Sequence, residues 1–174
     1  MELEKTTRLR RFSCLLLCLL LAQYFVGPDA WGLGPSYKRS LKRQLTFIIA
    51  KHPQYTWGGA ESLDQGLDCS GYIFLACKWA GIPGITRTTA FHMSLGLGGW
   101  NGKDIDLADA DECDLPFWTF NEQRQNGHVG ALLRGLDGEI QVTHASSRRG
   151  VVLDDLDGVF VRKLTKLRRL TIGD

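Results

Sequence analysis

Charge of one sign is what this 174-residue chain lacks most plainly. Its 21 lysines and arginines face 19 aspartates and glutamates, a formal net charge of +2. Residues 1–30 hold four of the basic and three of the acidic groups, so the remainder stands at 17 against 16. No global basic field exists to hold nucleic acid, and no nucleic-acid partner is expected. Paired cysteines are lacking as well. Cys14 and Cys18 fall in an N-terminal apolar run, which leaves Cys69, Cys77 and Cys113, an odd number that does not read as a disulfide framework. Cysteine and histidine never recur at the short spacings of a zinc motif, so no metal or other cofactor is expected.

A long hydrophobic run is the third absence. Phe12 to Val26 carries no charge, but Gln23 and Gly27-Pro28 cut it short, and a spanning helix wants about 20 apolar residues. Lys5, Arg8, Arg10 and Arg11 precede it. Residues 1–30 therefore read as a secretory signal peptide, with a retained N-terminal membrane anchor as the alternative, and residues 31–174 as one domain. Neither Cys14 nor Cys18 follows the small residues of a lipid-attachment box. The expected location is outside the cytoplasmic membrane: periplasm, cell envelope or secreted.

What is present is a helix start with a cysteine in it. In Leu67-Asp68-Cys69-Ser70-Gly71, Asp68 suits an N-cap, because its carboxylate accepts from the free N–H groups of the first turn. Ile73, Phe74, Cys77 and Ala80 then recur at helical spacing until Gly81 and Pro83. Cys69 lies in the first turn of a half-buried helix, where the dipole favours thiolate and can pull the pKa below about 8.5. A thiolate is the nucleophile. The competing reading makes Cys69 a small buried hydrophobe. Gly58-Gly59 and Gly66 leave room for backbone or substrate to approach closely.

The pattern Tyr55-x-Trp57-Gly58-Gly59 followed by Asp68-Cys69-Ser70-Gly71-Tyr72-Ile73 resembles the NlpC-type family of cysteine peptidases. The resemblance covers roughly residues 36 to 170. It implies a papain-like α+β fold and a peptidoglycan stem peptide as substrate. Tyr55 admits two readings: a core-facing residue, or, as the resemblance implies, a cleft residue that orients substrate or an oxyanion. Ser70 stands beside the nucleophile as a candidate substrate or oxyanion residue. Arg87, in a segment similar to the family's cleft border, either attracts a substrate carboxylate or pairs with a nearby acid. His92 reads as helix surface.

Elsewhere, Ser36 can cap a helix that buries Leu41, Leu45, Ile48 and Ile49. Thr88 or Thr86 can cap a short helix, and the Gly-rich residues 94–104 read as a loop. The acidic stretch from Asp104 to Asp114 and the basic tail from Arg162 to Arg169 each read as a solvated face. Asp114 to Phe120 is similar to the family's first central strand, whose opening is usually Pro-Gly-Asp-Leu. Here Glu112-Cys113-Asp114 stands instead, without the tight glycine turn.

Asn126 to Leu133 and Glu139 to Ala145 read as a hairpin, with Leu136-Asp137-Gly138 in its turn. A three-residue loop, Gly135 to Asp137, sets His128 opposite His144. Opposed residues on one face have Cβ atoms about 5 Å apart. A loop of two or four residues would send the two rings to opposite faces. By resemblance to the family's His-Val-Gly and Thr-His-Ala-Ser-Ser segments, Cys69 attacks, His128 is the base and His144 orients it. Imidazole can exchange protons both ways near neutrality. Gly150 to Leu153 and Val159 to Arg162 are read as further strands, and the basic end as the closing one.

The expected architecture is α+β, with N-terminal helices packed on an antiparallel sheet of about five strands. The expected activity is that of an exported cysteine peptidase or amidase acting through a thioester acyl-enzyme. One alternative is a non-catalytic or acyl-transfer module on the same fold. The other is a metal-binding protein using Cys69, His128 and His144.

Overall fold

Pro35 loses nothing in a first helical turn, where its missing N–H would have no partner. Helix α1 (Pro35–Lys51) accordingly begins there, behind Gly34 rather than Ser36. The computed structural model describes residues 32–172, and the signal peptide or anchor expected over residues 1–30 lies outside them. Along α1, Leu41, Leu45 and Ile48 are buried, as their spacing predicts. His52 closes the helix in a left-handed conformation, its N–H reaching the carbonyls of Ile48 and Ile49.

Helix α2 (Cys69–Trp79) starts at the expected cap, with the Asp68 carboxylate accepting from the Gly71 N–H at 2.6 Å. It is not half-buried. Residues Cys69 to Ile73 and Leu75 to Cys77 are all buried, because α2 packs against α1 on one side and the sheet on the other. A helix apolar on every side belongs in the interior. Tyr72 fixes its position: the hydroxyl lies 2.9 Å from Thr143 Oγ1, which itself donates to the Val152 carbonyl. Helix α3 (Ala90–Ser94) is capped by Thr89, one residue past the expected Thr88.

Among the described residues six strands form the sheet, where about five were expected: β1 (Gly102–Asp104), β2 (Leu115–Trp118), β3 (His128–Arg134), β4 (Ile140–Ser146), β5 (Gly150–Asp155) and β6 (Leu164–Leu170). Their order is β1-β6-β2-β3-β4-β5, antiparallel throughout. The additional strand, β1, comes from the glycine-rich segment read as loop. Val159 to Arg162, expected as a strand, lies in helix α4 (Gly158–Lys163). The β-branched valines favour a strand locally, but tertiary contact overrides them. The Phe160 ring packs edge-on to Trp118, and Trp118 Nε1 donates to the Phe160 carbonyl at 2.7 Å.

The β3–β4 loop is five residues long, not three. Gly130, not His128, faces His144, and Arg134 faces Ile140. Asp137 accepts from the Glu139 N–H and Gly138 takes φ 88°, which draws two more residues into the turn. A shift of two keeps every side chain on its face. His128 and His144 are thus diagonal neighbours on the same face.

The two charged segments meet in part, at Asp104 and Asp114, while Asp106, Asp109, Arg162 and Lys163 are exposed as a solvated face would be. Arg169 binds the buried Asp114 carboxylate through two hydrogen bonds of 2.9 and 2.8 Å. Lys166 and Arg168 reach Asp104, and Lys38 and Lys42 of α1 hold Asp111 and Glu112. Cys113 occupies the turn that opens β2 at φ 69°, so the left-handed turn is kept without its usual glycine.

Candidate active site

The Asp68 carboxylate gathers the loop that leads into Cys69. Besides the Gly71 N–H it accepts from the Gly58 N–H at 3.0 Å, the Ser70 hydroxyl at 3.0 Å and Arg87 Nη2 at 2.6 Å. Arg87 Nη1 also donates to Ser70 Oγ at 2.8 Å and to the Thr88 carbonyl. Ser70 is buried, with its hydroxyl engaged on both sides. The substrate or oxyanion role expected for Ser70 gives way to one in the helix cap, and of the two readings of Arg87 the structure shows the pairing with a nearby acid, Asp68. The glycines serve backbone approach. A Cβ on Gly71 would lie 1.9 Å from the Gly59 carbonyl oxygen, and Gly66 sits at φ +80° against Thr56.

Cys69 is 7% exposed and opens onto a cavity of about 300 Å³ together with Tyr55, Trp57, Gly127, His128 and His144. The start of β3 passes beside its sulfur. Sγ lies 3.9 Å from the Gly127 carbonyl, and the Val129 N–H also points to it, so the two backbone groups that flank His128 both meet the thiol. Among the described residues, no hydrogen bond joins Sγ to a ring nitrogen of His128. Burial pushes the Cys69 thiol up to about 11, and the Asp68 charge adds to it, whereas the Val129 and Ser70 N–H groups and Arg87 oppose it. The expected depression by the helix dipole is thus corrected. Withdrawal from water outweighs it, because Cys69 to Ile73 are all buried.

Alkylation of native Cys69 by iodoacetamide is accordingly expected to be slow at pH 8 and to climb only above the free-thiol value of about 8.5. A rate profile with its midpoint at or below that value would show that the dipole wins. Cys77 and Cys113, both buried and also shifted upward by burial, should react only on unfolding.

His128 Nε2 and His144 Nδ1 are 2.9 Å apart. His144 Nε2 lies 3.0 Å from Asp154 Oδ2, and Arg149 grips Asp154 through contacts of 2.9 and 2.5 Å. The chain of contacts fixes the tautomers. A carboxylate only accepts, so His144 Nε2 carries the proton and Nδ1 accepts from His128 Nε2–H. The unprotonated nitrogen of His128 is then Nδ1. Trp118 and Phe120 stand 5.7 and 5.6 Å from the His128 ring centre. Burial lowers His128 to about 3, assisted by His144. Burial also lowers His144, against the pull of Asp154. Arg149 holds the Asp154 carboxyl below its usual range, with His144 assisting. At neutral pH the resting groups are thiol, two neutral imidazoles and a carboxylate.

Asp154 and Arg149 escape the sequence reading. Counting the second hairpin as the first was counted would have found Asp154. Ser146 faces Gly150 across a three-residue turn and His144 faces Val152, so Asp154 is the diagonal neighbour on the histidine face. Tyr55 is half-buried on the cavity wall, where burial, with the charges of Cys69 and Asp68, raises its phenol to about 12 and keeps it a donor. Trp57 is 74% exposed at the cavity mouth. His92 is on the surface of α3, as expected. Both ring nitrogens of His144 are occupied, by His128 and Asp154, which leaves neither for a metal. No cluster of three metal-ligating side chains exists among the described residues.

A family model described as the NlpC/P60 family matches residues 52–169. The chain belongs to the NlpC/P60 family. This family generally comprises cysteine peptidases and amidases acting on peptidoglycan peptides. Among solved structures, a lipoprotein-like NLP/P60 protein from Staphylococcus aureus is 23% identical with a TM-score of 0.64, covering 89% of this chain and 48% of its own. NlpC2 from Trichomonas vaginalis is 22% identical with a TM-score of 0.56, over 77% and 47% of the two chains. NlpC1 from the same organism is 22% identical with a TM-score of 0.55, over 75% and 44%. The chain spans about half the length of these structures, and the likeness is one of fold. That fold is papain-like and α+β. No curated protein matches the chain.

Proposed function

We propose that this NlpC/P60 domain is an exported thiol hydrolase that cuts an amide bond in peptidoglycan stem peptides. The observation that carries this reading is the row Arg149, Asp154, His144, His128 ending at the cavity that Cys69 shares. Such a row leaves His128 one free lone pair, at Nδ1, on a ring that lines the same cavity as the thiol. Because thiol and imidazole rest neutral, the proton leaves Sγ as the sulfur attacks rather than beforehand. Sγ bonds to the carbonyl carbon, and His128 takes the proton at Nδ1. Its positive charge is then shared along His144 towards Asp154. The same proton goes to the leaving amine, which departs and leaves a thioester. Water, deprotonated by His128, hydrolyses the thioester and restores the thiol. The Cys69 backbone N–H, at the free end of α2, and the Tyr55 phenol are the donors offered to the oxyanion.

Export rests on the basic, then apolar, residues 1–30. The substrate rests on family membership. Digestion of purified wall fragments tests the reading. Mass spectrometry is expected to find new amino and carboxyl termini within the stem peptide. The activity should withstand a chelator and disappear after thiol alkylation at alkaline pH. Intact stems, or loss in chelator with survival of alkylation, would refute it.

A further inference from the structure

Arg124 sits where its charge has no answer from the protein. The guanidinium lies 5.3 Å over the Trp57 ring, and among the described residues it has no carboxylate partner and no side-chain hydrogen bond. Arg87, Arg149, Arg168 and Arg169 are all engaged by carboxylates. Trp57, Arg124 and Gly127 are shared between the cavity of Cys69 and an adjoining one of about 450 Å³. Gln123, Gln125 and Phe91 help line the second cavity. Along both walls Arg124 is the single formally charged side chain, given neutral histidines. Its field reaches the reacting end, where it opposes the rise of the Tyr55 phenol.

The loop that carries Arg124 is tied to the fold next to it. Asn126 is buried in a left-handed conformation at φ 48°. Its N–H donates to Thr119 Oγ1 and its amide nitrogen to Ser94 Oγ, both at 3.0 Å. Its amide oxygen accepts from Thr165 Oγ1 at 2.6 Å. The Arg124 carbonyl in turn accepts from the Gly127 N–H at 3.0 Å. The same turn thus places the Gly127 carbonyl against Sγ and the base of Arg124 against Trp57. A guanidinium held against an aromatic face keeps its in-plane donors free for a second partner, and a carboxylate matches that fork.

We infer that Arg124, backed by Trp57, is the specificity-determining residue of this site and binds a free carboxylate on the peptide next to the scissile amide. The inference rests on the hydrolase reading above and goes on to the substrate's charge. With one cation and no anion on its walls, the groove favours acidic peptides over those presenting a free ammonium group. A carboxamide at the same position loses both the charge and one half of the fork.

Two synthetic stem peptides test it, alike except that the residue flanking the cut carries a carboxylate in one and a carboxamide in the other. The wild-type protein is expected to prefer the acid by roughly tenfold or more in kcat/KM, mainly through KM. Arg124→Gln should collapse that preference, and Arg124→Lys should keep part of it. Rising salt should erode the wild-type preference. Equal cleavage of both peptides by the wild type, or a preference that survives Arg124→Gln, overturns the inference. If the wild type cuts neither peptide, the hydrolase reading fails instead. Binding then decides the inference, by titrating the same two peptides against tryptophan fluorescence. Acid-selective binding that Arg124→Gln removes supports it, and its absence refutes it.

Discussion

Cys69→Ala should lower kcat on a stem peptide by roughly 10⁴- to 10⁶-fold, the scale on which hydrolases lose rate with their nucleophile. The fold should barely change. Sγ meets only backbone groups, the nearest hydrogen bond being 3.9 Å to the Gly127 carbonyl, and α2 is anchored instead through Asp68 and Tyr72. Loss of one buried sulfur is expected to cost about 1 kcal/mol. Cys77→Ala and Cys113→Ala are the controls. Both thiols are buried away from the cavity lining, so these variants should lose some stability and keep most of their activity. Rates and thermal melts on all three variants check this. Equal loss of activity in all three, with unchanged circular dichroism, would sink the single-nucleophile assignment.

The largest structural effect is expected from one methyl group. In Gly71→Ala the new Cβ would stand 1.9 Å from the Gly59 carbonyl oxygen and 3.0 Å from the Ala60 Cα. Both are backbone atoms, held by the Asp68 N–H bond to the Gly59 carbonyl and by the Asp68 carboxylate bond to Gly71 itself. The loop and the helix start must part, so the cap is lost along with the close packing. More than about 3 kcal/mol is expected, a fall in Tm of roughly 10 °C. Gly138→Ala is the comparison. It has φ +88° but open space around it, and should cost only about 1 kcal/mol for its left-handed backbone. A melt of Gly71→Ala within two or three degrees of wild type, about 1 kcal/mol, would show that the approach can relax.

What the sequence makes legible is mostly what short-range rules decide. The Asp68 cap, the start of α2 at Cys69 and the apolar face of α1 depend on neighbours within a turn or two. The shared face of His128 and His144 follows from the parity of their hairpin, which survived an error of two residues in its register. Long-range enclosure was not legible. Cys69 has its thiol raised rather than lowered because α1 and the sheet both cover α2. Val159 and Val161 favour a strand by type, but the segment is helical where Phe160 packs against Trp118 and His144. That Arg87 pairs with an acid was one of its two readings, but which acid, and that Ser70 shares it, only the folded loop shows: Asp68 engages both. Asp154 was within reach of counting, but it matters only once β5 is known to pair with β4.

The position of β6 also bears on when the site comes into being. It is the last of the described strands along the chain, yet it lies inside the sheet, between β1 and β2. The sheet cannot close until residues 164–170 are available, and pairings that span so much sequence form slowly. Thr165, on that strand, supplies the one hydroxyl that the Phe117 carbonyl and the Asn126 amide oxygen share. A nascent chain ending before it already contains Cys69, His128 and His144, but lacks the bond that fixes the turn beside them. Maturation of the thiol site is thus coupled to the late docking of β6, and its three principal groups are synthesised well before they are held in register.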